Sequence, residues 1–372
     1  MAVRWEYDWS LSWEEILRPE YIREWETLFA HSDSRSSPFF HHSVVKAWLE
    51  SKGGYDAFEP FFLMATSSDG MRGFLPLVQE AISRSRVRVR SLTPVGYDLF
   101  DYHDVLFSPG GLADNPARMV SFWDGLSREL KRHEGDWFDQ FRLSRTRANC
   151  TVGDFERREV VTAPFVELKK YDGFESYLAS RSSSLRSDLL RKERRLRKVG
   201  ELSLEVYLPE TVNSFIDMIP RLEKSRLKKY PRSKLPAGYL KRLAEFGCGG
   251  GPVHCSSLLL DGVGISWHVG LNHAGTMYWY IMAYDDRFGK YSPGKLHLFY
   301  LFQRAFEQRG KAFDFLRGRE KYKFEWSDGD EFALYQVSLK SAAVSSRLRV
   351  GFAQMCGLNQ RLWNGVRRGI RL

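Results

Sequence analysis

The sequence has few of the features that mark disulfide-rich or metal-dependent proteins. Its 372 residues include four widely spaced cysteines, Cys150, Cys248, Cys255 and Cys356, with no CxxC pair. This spacing argues against a disulfide framework and against a cysteine-rich zinc site. The nine histidines form no HExxH or HxH motif. We therefore predict a protein without a metal ion.

Long hydrophobic runs are also missing. No stretch approaches the roughly 20 apolar residues that a membrane-spanning helix needs. The first residues mix acids with tryptophans and lack the apolar core of a signal peptide. We expect no transmembrane segment and a cytoplasmic location.

Three common catalytic or nucleotide-binding motifs are absent from the sequence. It contains no GxSxG, no P-loop and no GxGxxG after a predicted strand. Their absence argues against a serine hydrolase, a P-loop NTPase and a Rossmann-type dehydrogenase.

The composition that is present describes a globular protein with a large core. Hydrophobic residues make up 43% of the chain, charged residues 27% and aromatic residues 15%. The chain has 56 Lys and Arg against 46 Asp and Glu, a net charge of +10. That excess favours anionic partners, whether nucleic acid, a phosphorylated cofactor or an acidic membrane surface, and it selects none of them.

The two halves of the chain repeat one order of predicted elements. An Asp-Gly pair, Asp69-Gly70 or Asp261-Gly262, separates two apolar runs in each half, and this pair is a strong hairpin signal. A helix then precedes the next strand, near 115–133 in the first half and over 293–309 in the second, where Gly310 is expected at the C′ position. The repeated order predicts two α/β domains of one design.

We therefore predict an α/β (α+β) fold of two tandem domains, each a mixed sheet flanked by helices. The expected domains are residues 1–160 and 161–343, followed by a tail over 344–372. The tail contains six arginines and no acidic residue. It can form a basic amphipathic helix that contacts a membrane surface, or it can pack on its own domain.

The segment from Tyr284 to Leu296 is the sharpest local signal for an anion site. A predicted strand ends in a loop with Gly, Lys and Arg, and the loop ends in Ser292-Pro293-Gly294. Serine at the N-cap and proline at N1 favour a helix start, and glycine lets a ligand approach the first turn. Free backbone N–H groups there, with the nearby cations, would suit a pyrophosphate. A well-capped core helix with a basic loop would show the same residues.

A second signal lies where another apolar strand enters a polar cluster. Asp314 alternates with two phenylalanines, and Glu320, Tyr322 and Lys323 follow. An acid, a tyrosine and lysines at the end of a strand can move protons and hold an oxyanion. The alternative is a solvated, salt-bridged turn, which is our interpretation of the neighbouring Arg319 and Lys321.

Two further features can bind or react. The segment 186–198 carries seven cations against two acids on a predicted helix. It can bind RNA or an anionic glycan, or it can be a solvent-exposed helix face without a partner. His268, on a predicted strand, and His103, in an aromatic loop, titrate near neutrality and are candidate general bases. A lone strand histidine is more often a hydrogen-bonded structural residue.

Together these segments resemble a known family. The basic helix, the Asp261-Gly262 hairpin, the Ser-Pro-Gly helix start and the Asp314…Gly-x-Glu-x-Tyr-Lys run are similar to those of GNAT-fold acetyltransferases of the cellulose-biosynthesis CelD/BcsL type. That family is distantly related to the FemABX transferases, which add amino acids to peptidoglycan precursors. The resemblance covers about 165–340 well and 40–145 loosely.

The resemblance implies two GNAT-like domains, with acyl transfer in the second. It implies that the strand over 276–283 holds the donor's pantetheine arm and that the following loop and helix start hold its pyrophosphate. The loop differs from the usual Q/R-x-x-G-x-G/A pattern, since its glycines stand at 289 and 294 instead of 290 and 292. The donor-binding residues implied are Arg287, Gly289, Lys290, Ser292, Gly294 and Lys295.

The function predicted is transfer of an acetyl or other acyl group from acyl-CoA to an amine or hydroxyl, on a sugar, a polysaccharide precursor or another small acceptor, by direct attack in a ternary complex. Asp314 or His268 would remove the acceptor's proton. Tyr322 or Lys323 would protonate the leaving group or bind acceptor phosphate, and Glu320 belongs to the same catalytic cluster. Two alternatives remain open: an aminoacyl-tRNA-dependent transferase of the FemABX kind, and a non-catalytic binding protein with the same fold.

Overall fold

The computed structural model describes residues 3–32, 36–84, 87–108, 116–147, 154–231, 234–353 and 355. Cys150, Cys356 and the rest of the predicted tail beyond residue 355 lie outside the described residues. The strands are β1 (Trp5–Ser10), β2 (Glu59–Ser67), β3 (Arg72–Arg84), β4 (Val87–Pro94), β5 (Leu106–Phe107), β6 (Gln140–Thr146), β7 (Glu156–Glu167), β8 (Leu202–Tyr207), β9 (Val253–Leu260), β10 (Val263–His273), β11 (Thr276–Tyr284), β12 (Ala312–Asp314) and β13 (Glu331–Lys340).

Helices cover both faces of these strands. They are α1 (Trp13–Ile16), α2 (Pro19–His31), α3 (His42–Ser51), α4 (Pro116–Arg132), α5 (Phe174–Ser180), α6 (Ser183–Arg197), α7 (Val212–Ile216), α8 (Ile219–Lys229), α9 (Tyr239–Gly247), α10 (Pro293–Glu307) and α11 (Lys321–Trp326), with short 3₁₀ turns between them. None of the described helices has both the length and the apolar character that a membrane crossing requires. The predicted α/β class with a mixed sheet and flanking helices is confirmed.

One mixed sheet connects the two halves of the chain. Its order is β1-β2-β3-β4-β6-β13-β7-β12-β11-β10-β9-β8, and β5 adds to β3. β7 is the joint, because its first part pairs with β13 and its end pairs with β12. β13, a strand that the sequence analysis did not foresee, lies between β6 and β7 in the first half of the sheet. The boundary near residue 160 stays a prediction.

Both Asp-Gly pairs form the hairpins that the sequence predicts. Gly70 has φ 85° between β2 and β3, and Asp261 and Gly262 have φ 50° and 75° between β9 and β10. Positive φ at both residues, which of the two pairs only Asp261-Gly262 shows, is the type I′ geometry and matches the twist of the two strands. The register follows directly, with Leu260 opposite Val263.

α10 begins as predicted and ends two residues earlier than predicted. Ser292 is its N-cap and Pro293 its first residue. At its end the left-handed residue is Arg309, with φ 54°, so the expected C′ role of Gly310 is wrong. Gly310 N–H donates to Ala305 C=O and Arg309 N–H to Phe306 C=O, at 2.8 and 2.9 Å, which is a Schellman motif with glycine at C″.

The parallel strands β11 and β12 part soon after they pair. Thr276–Tyr278 lie opposite Ala312–Asp314, and β11 then continues alone to Tyr284 on that side. α10 connects the two strands and packs on the same sheet. The separation opens a wedge between the end of β11 and the segment after β12. This wedge positions the candidate site.

The residues 344–353 form a helical segment that packs on the first half of the chain. Val350 and Ala353 contact Val89, and the hydroxyl of Ser346 donates to the carboxylate of Asp139 at 2.7 Å. Its other face is exposed. The described part of the tail therefore packs on a domain, but on the first one.

Candidate active-site cleft

A cleft of about 660 Å³ runs along the free edge of β11. Four consecutive strand residues, Trp279 to Met282, line it. Side chains alternate between the two faces of a strand, so a cleft that touches four in a row must follow the strand's edge. Its volume lies in the ordinary range for a small-molecule site.

Both halves of the chain supply its walls. The cleft is lined by Asp98, Leu99, Asp101, Arg226, Lys229, Tyr230, Lys234, Leu235, Trp279, Tyr280, Ile281, Met282, Tyr284, Ser292, Gly294, Lys295, Leu298, Phe315, Arg317, Glu320, Tyr322 and Lys323. Tyr280 links the halves, since its hydroxyl donates to Leu99 C=O at 3.2 Å. The cleft is thus an inter-half site with its floor on the second half.

A strained loop carries the polar residues at the inner end of the cleft. Leu316 has φ 58°, a left-handed conformation that leucine rarely adopts, and Gly318 has φ 121°. A side chain at Gly318 would place its Cβ 2.3 Å from Glu320 Oε2 and 3.1 Å from Lys323 Nζ. Glycine at this position therefore leaves room for that carboxylate and ammonium.

Lys323 is a buried ammonium that faces the cleft. The side chain is almost fully buried, and Nζ donates to Arg317 C=O at 2.6 Å and pairs with Glu320 Oε2 at 2.9 Å. An ammonium has three N–H donors. With two engaged, the third is available for a ligand in the cleft.

Tyr322 presents a hydroxyl that can donate a proton. Its oxygen accepts a hydrogen bond from Trp279 Nε1 at 3.2 Å. Burial raises the pKa of Tyr322 well above its ordinary value, so the hydroxyl keeps its proton at neutral pH. Tyr322 can therefore act as a hydrogen-bond donor or a general acid.

Asp101 is a cleft residue that the sequence analysis did not select. Its carboxylate pairs with Arg317 Nε at 2.6 Å across the two halves. Burial raises the pKa of Asp101, although nearby cations oppose the shift. The sequence signal that could have identified Asp101 is an acid within the aromatic segment 97–103, which is unusual for a solvent-exposed loop.

The outer part of the cleft is rich in cations. The positively charged lining residues there are Arg226, Lys229, Lys234 and Lys295. Lys229 Nζ lies 5.1 Å from the centre of the Tyr284 ring, and Lys295 pairs with Glu325 at 2.8 Å. Several fixed positive charges at one mouth favour an anionic ligand group.

The predicted donor-binding residues divide into two sets. Ser292, Gly294 and Lys295 line the cleft. Arg287, Gly289 and Lys290 do not: the Arg287 guanidinium folds back on Asp285 at 2.6 Å, and the 3₁₀ turn that contains all three holds no buried residue.

Ser292 does not cap α10 with its side chain. It adopts a left-handed conformation, φ 50°, and its hydroxyl accepts a hydrogen bond from Lys192 of α6 at 2.7 Å. A Cβ at Gly294 would lie 2.5 Å from Met282 Cε. A side chain at this position would therefore displace the end of the Met282 side chain, which lines the cleft.

Asp314, predicted to accept a proton, lies in the interior and does not line the cleft. Its carboxylate accepts hydrogen bonds from the Tyr102 hydroxyl at 2.7 Å and from Leu316 N–H at 2.7 Å. Burial raises the pKa of Asp314 to about 6, against the opposing charge of Arg147. The contacts fix the strained loop to the first half of the chain, which favours a positioning role.

His268 is likewise separated from the cleft. Its ring is fully buried and stacks on Trp279 at 4.2 Å, and neither ring nitrogen has a hydrogen-bond partner among the described residues. Burial lowers the pKa of His268 well below its ordinary value. His103 is also fully buried. Neither position gives direct access to an acceptor.

The predicted basic helix is present as α6, and most of its cations face solvent. Leu185, Leu189 and Leu196 are buried as expected, whereas Val199 is exposed. Several cations are engaged within the chain, such as Arg191 with Asp188 at 2.6 Å. The face can contact an anionic partner beside the cleft.

Part of the chain matches a family model. Residues 183–324 match the family model of the acetyltransferase (GNAT) domain. This segment contains β11, α10, β12 and the loop with Glu320, Tyr322 and Lys323. No curated protein sequence matches the chain.

Solved structures of low sequence identity share the fold. FemX aligns with a TM-score of 0.58 at 10% identity, over 85% of this chain and 95% of that one. The C-terminal domain of a protein assigned as a lysylphosphatidylglycerol synthetase from Agrobacterium fabrum aligns with a TM-score of 0.54 at 12% identity, over 90% and 96%. A conserved protein of unknown function from Bacteroides thetaiotaomicron aligns with a TM-score of 0.52 at 13% identity, over 86% and 97%.

Proposed function

We propose that the protein is an acyltransferase that moves an acyl group from acyl-CoA to an amine or hydroxyl within the cleft. The observation that carries this proposal is the wedge between β11 and β12, lined by polar groups at its inner end and by cations at its mouth. The GNAT-domain match over 183–324 supports acyl transfer in general. Kinship with the CelD/BcsL type, a sugar or polysaccharide acceptor and a cytoplasmic location are parts of the proposal.

The cleft suits a long donor with an anionic end. A pantetheine arm can lie along the unpaired edge of β11, where backbone N–H and C=O groups lack a strand partner on the β12 side. The phosphates would lie at the mouth, near Lys229, Lys295 and the start of α10. Arg287, Gly289 and Lys290 would then need to rearrange to take the contacts predicted for them.

The inner end of the cleft has groups for each step of direct transfer. The acceptor nitrogen or oxygen attacks the thioester carbonyl, and Glu320 takes its proton. Lys323 donates to the oxyanion of the tetrahedral intermediate. The C–S bond then breaks, and Tyr322 supplies a proton to the leaving sulfur. Glu320 replaces Asp314 and His268 as proton acceptor in this proposal because it lines the cleft.

An aminoacyl-tRNA donor is the second candidate. The exposed cations of α6 favour it, because they lie beside the cleft mouth, where Lys192 contacts Ser292. Such a donor would bind RNA with a strong dependence on salt, since phosphate contacts release counterions.

A titration of the full chain with desulfo-CoA and with bulk tRNA at two salt concentrations tests the donor. We expect micromolar binding of desulfo-CoA, weakened about tenfold in Lys229→Ala because one phosphate contact is lost. Lys228→Ala is the matched control: Lys228 is the neighbouring residue, is exposed and pairs with Asp286 outside the cleft. Salt-sensitive tRNA binding without desulfo-CoA binding would transfer the proposal to the aminoacyl donor, and the absence of both would contradict it.

We further propose that the tail over 344–372 contacts an anionic membrane surface. Val344, Leu348 and Phe352, spaced at four residues, are exposed on the helical segment. The tail carries six arginines and no acid. An apolar stripe with flanking cations is the pattern of an interfacial helix.

A further inference from the structure

A second cavity adjoins the cleft at its inner end. It has a volume of about 460 Å³ and is lined by Ser144, Arg145, Val160, Val161, Arg317, Gly318 and Glu320. Arg317 and Glu320 line both cavities. The second cavity therefore reaches the same polar groups as the cleft, but from the side of β6 and β7.

Arg145 is a buried cation with unused hydrogen-bonding capacity in this cavity. Its side chain is 8% exposed, and its Nη2 donates to Tyr97 C=O at 2.8 Å. Its Nε is buried and has no partner among the described residues. A buried donor without a partner is uncommon in native structures, so this N–H group favours a ligand that carries an acceptor oxygen.

Arg317 brings a second guanidinium to the same cavity. The two are close enough that the charge of Arg317, added to burial, lowers the pKa of Arg145 to about 10. Arg317 uses Nε to bind Asp101. A guanidinium has five N–H donors in a fixed fork, which matches the oxygens of a carboxylate or phosphate.

The local charges do not cancel. Of the charged residues that line the second cavity, Arg145 and Arg317 are positive and Glu320 is negative. A net positive charge in a partly buried site is costly unless an anion compensates it. Val160 and Val161 add an apolar wall beside the two arginines.

We infer that this second cavity is the acceptor site and that it binds an oxyanion, a carboxylate or phosphate, that the acceptor carries next to its reacting amine or hydroxyl. Arg145 and Arg317 bind the oxyanion, and Glu320 meets the nucleophile where the two cavities join. The role of this cavity as acceptor site rests on the proposed acyl transfer, whereas its binding of an oxyanion does not.

Thermal-shift titration of the full chain with inorganic phosphate and with malonate, at constant ionic strength and pH 7.5, tests the inference. A ligand that binds only the native state raises the free energy of unfolding by RT ln(1 + L/Kd), where L is the free ligand concentration, so a fit of the midpoint against ligand concentration gives the half-saturation concentration. We expect half-saturation near ~1 mM for the better anion. Arg317→Gln should weaken anion binding about tenfold, because one charge-assisted hydrogen bond is lost. Arg145→Lys should also weaken anion binding, because lysine keeps the charge but lacks the planar guanidinium that makes paired hydrogen bonds.

Arg319→Gln is the matched control, because Arg319 is two residues away, is exposed and pairs with Glu331. It should change the half-saturation concentration less than twofold. Tighter phosphate binding would identify a phosphorylated acceptor, and tighter malonate binding a carboxylated one. No midpoint shift up to about 50 mM of either anion, or equal losses in Arg317→Gln and Arg319→Gln, would overturn the inference.

A parallel titration with desulfo-CoA separates this inference from the proposed function. Desulfo-CoA binding without phosphate or malonate binding would contradict the oxyanion site and support the proposed acyltransferase. Anion binding that depends on Arg317, without any donor binding, would support the oxyanion site and contradict the proposed acyltransferase.

Discussion

The two halves of the molecule place a helix between parallel strands in the same way, yet they use the space beyond the strands differently. In the first half, β4 and β6 are parallel, and the segment that follows β4 is buried, with Phe100, Tyr102 and His103 fully enclosed. In the second half, β11 and β12 are parallel, and the turn that follows β11 holds no buried residue. The first wedge is filled with aromatic side chains, and the second is open.

This difference indicates that the two halves have different roles. A wedge filled by its own loop cannot admit a donor, so under the proposed function the donor enters the second wedge. The same loop then forms a wall of the open wedge, where it contributes Asp98, Leu99 and Asp101. Under the proposed function the donor binds on the second half, and the geometry of the cleft depends on the first.

The largest expected effect comes from removing the ammonium at the inner end of the open wedge. Lys323→Met should lower kcat about 10²- to 10³-fold, as the loss of one oxyanion donor does in other enzymes. Donor affinity should change little, because the proposed phosphate contacts come from other cations, Lys229 and Lys295. Steady-state kinetics measure both, with Lys321→Met, at an exposed neighbour, as the control. A folded Lys323→Met protein with normal turnover would mean that the open wedge is not the reaction site.

Acid should destabilise the second half through its buried histidines. Burial lowers the pKa of His254 to about 4 and of His297 to about 3, and both rings lie near His268. The unfolded chain binds protons below pH 6.5 and the folded one does not, so stability is complete above pH 6.5 and is lost as pH falls toward 4. The shift at His254 alone corresponds to ~3 kcal/mol.

Urea unfolding at several pH values measures this effect, with His254→Gln as the variant that should flatten the dependence. A free energy of unfolding that stays constant from pH 7 to pH 4.5 would contradict it.

A smaller effect distinguishes positioning from proton transfer at Asp314. Asp314→Asn keeps an oxygen that can accept from the Tyr102 hydroxyl and Leu316 N–H. If Asp314 only fixes the loop between the halves, kcat should fall less than about tenfold and stability by ~1–2 kcal/mol. Loss of more than about 10²-fold in kcat, in a protein of normal stability, would restore the role of proton acceptor that the sequence predicts.

The sequence predicts local features of this molecule well. Asp-Gly between apolar runs fixes a hairpin within a few residues, and Ser-Pro-Gly correctly marks the start of α10. Arg309 in the left-handed position was not predictable from residue type, because glycine next to it is the commoner choice. The Schellman hydrogen bonds decide that end of the helix.

Features that depend on distant contacts were not accessible from the sequence. β13 lies between β6 and β7 because of pairing across more than 150 residues. Asp101 meets Arg317 only when the two halves join. Asp314 was selected for its flanking phenylalanines, but the same burial that marked it also removes it from the cleft.

The smallest expected effect concerns the helical segment on the first half. Leu348→Gln should weaken binding of the protein to vesicles with anionic lipid severalfold, because one exposed apolar side chain contributes ~1–2 kcal/mol at most to membrane contact. Leu190→Gln, at another exposed leucine, is the control. Vesicle sedimentation measures the difference. Equal binding of all three proteins, or none, would contradict a membrane role for this segment.

Hydrogen–deuterium exchange with and without desulfo-CoA tests the central claim most directly, because it compares both wedges in one experiment. The account predicts protection over 279–296, along β11 and the start of α10, and no change over 87–94 and 102–107, the parts of the filled wedge that do not line the cleft. Protection of 87–94 and 102–107 instead, or unchanged exchange over 279–296 at saturating ligand, would contradict it.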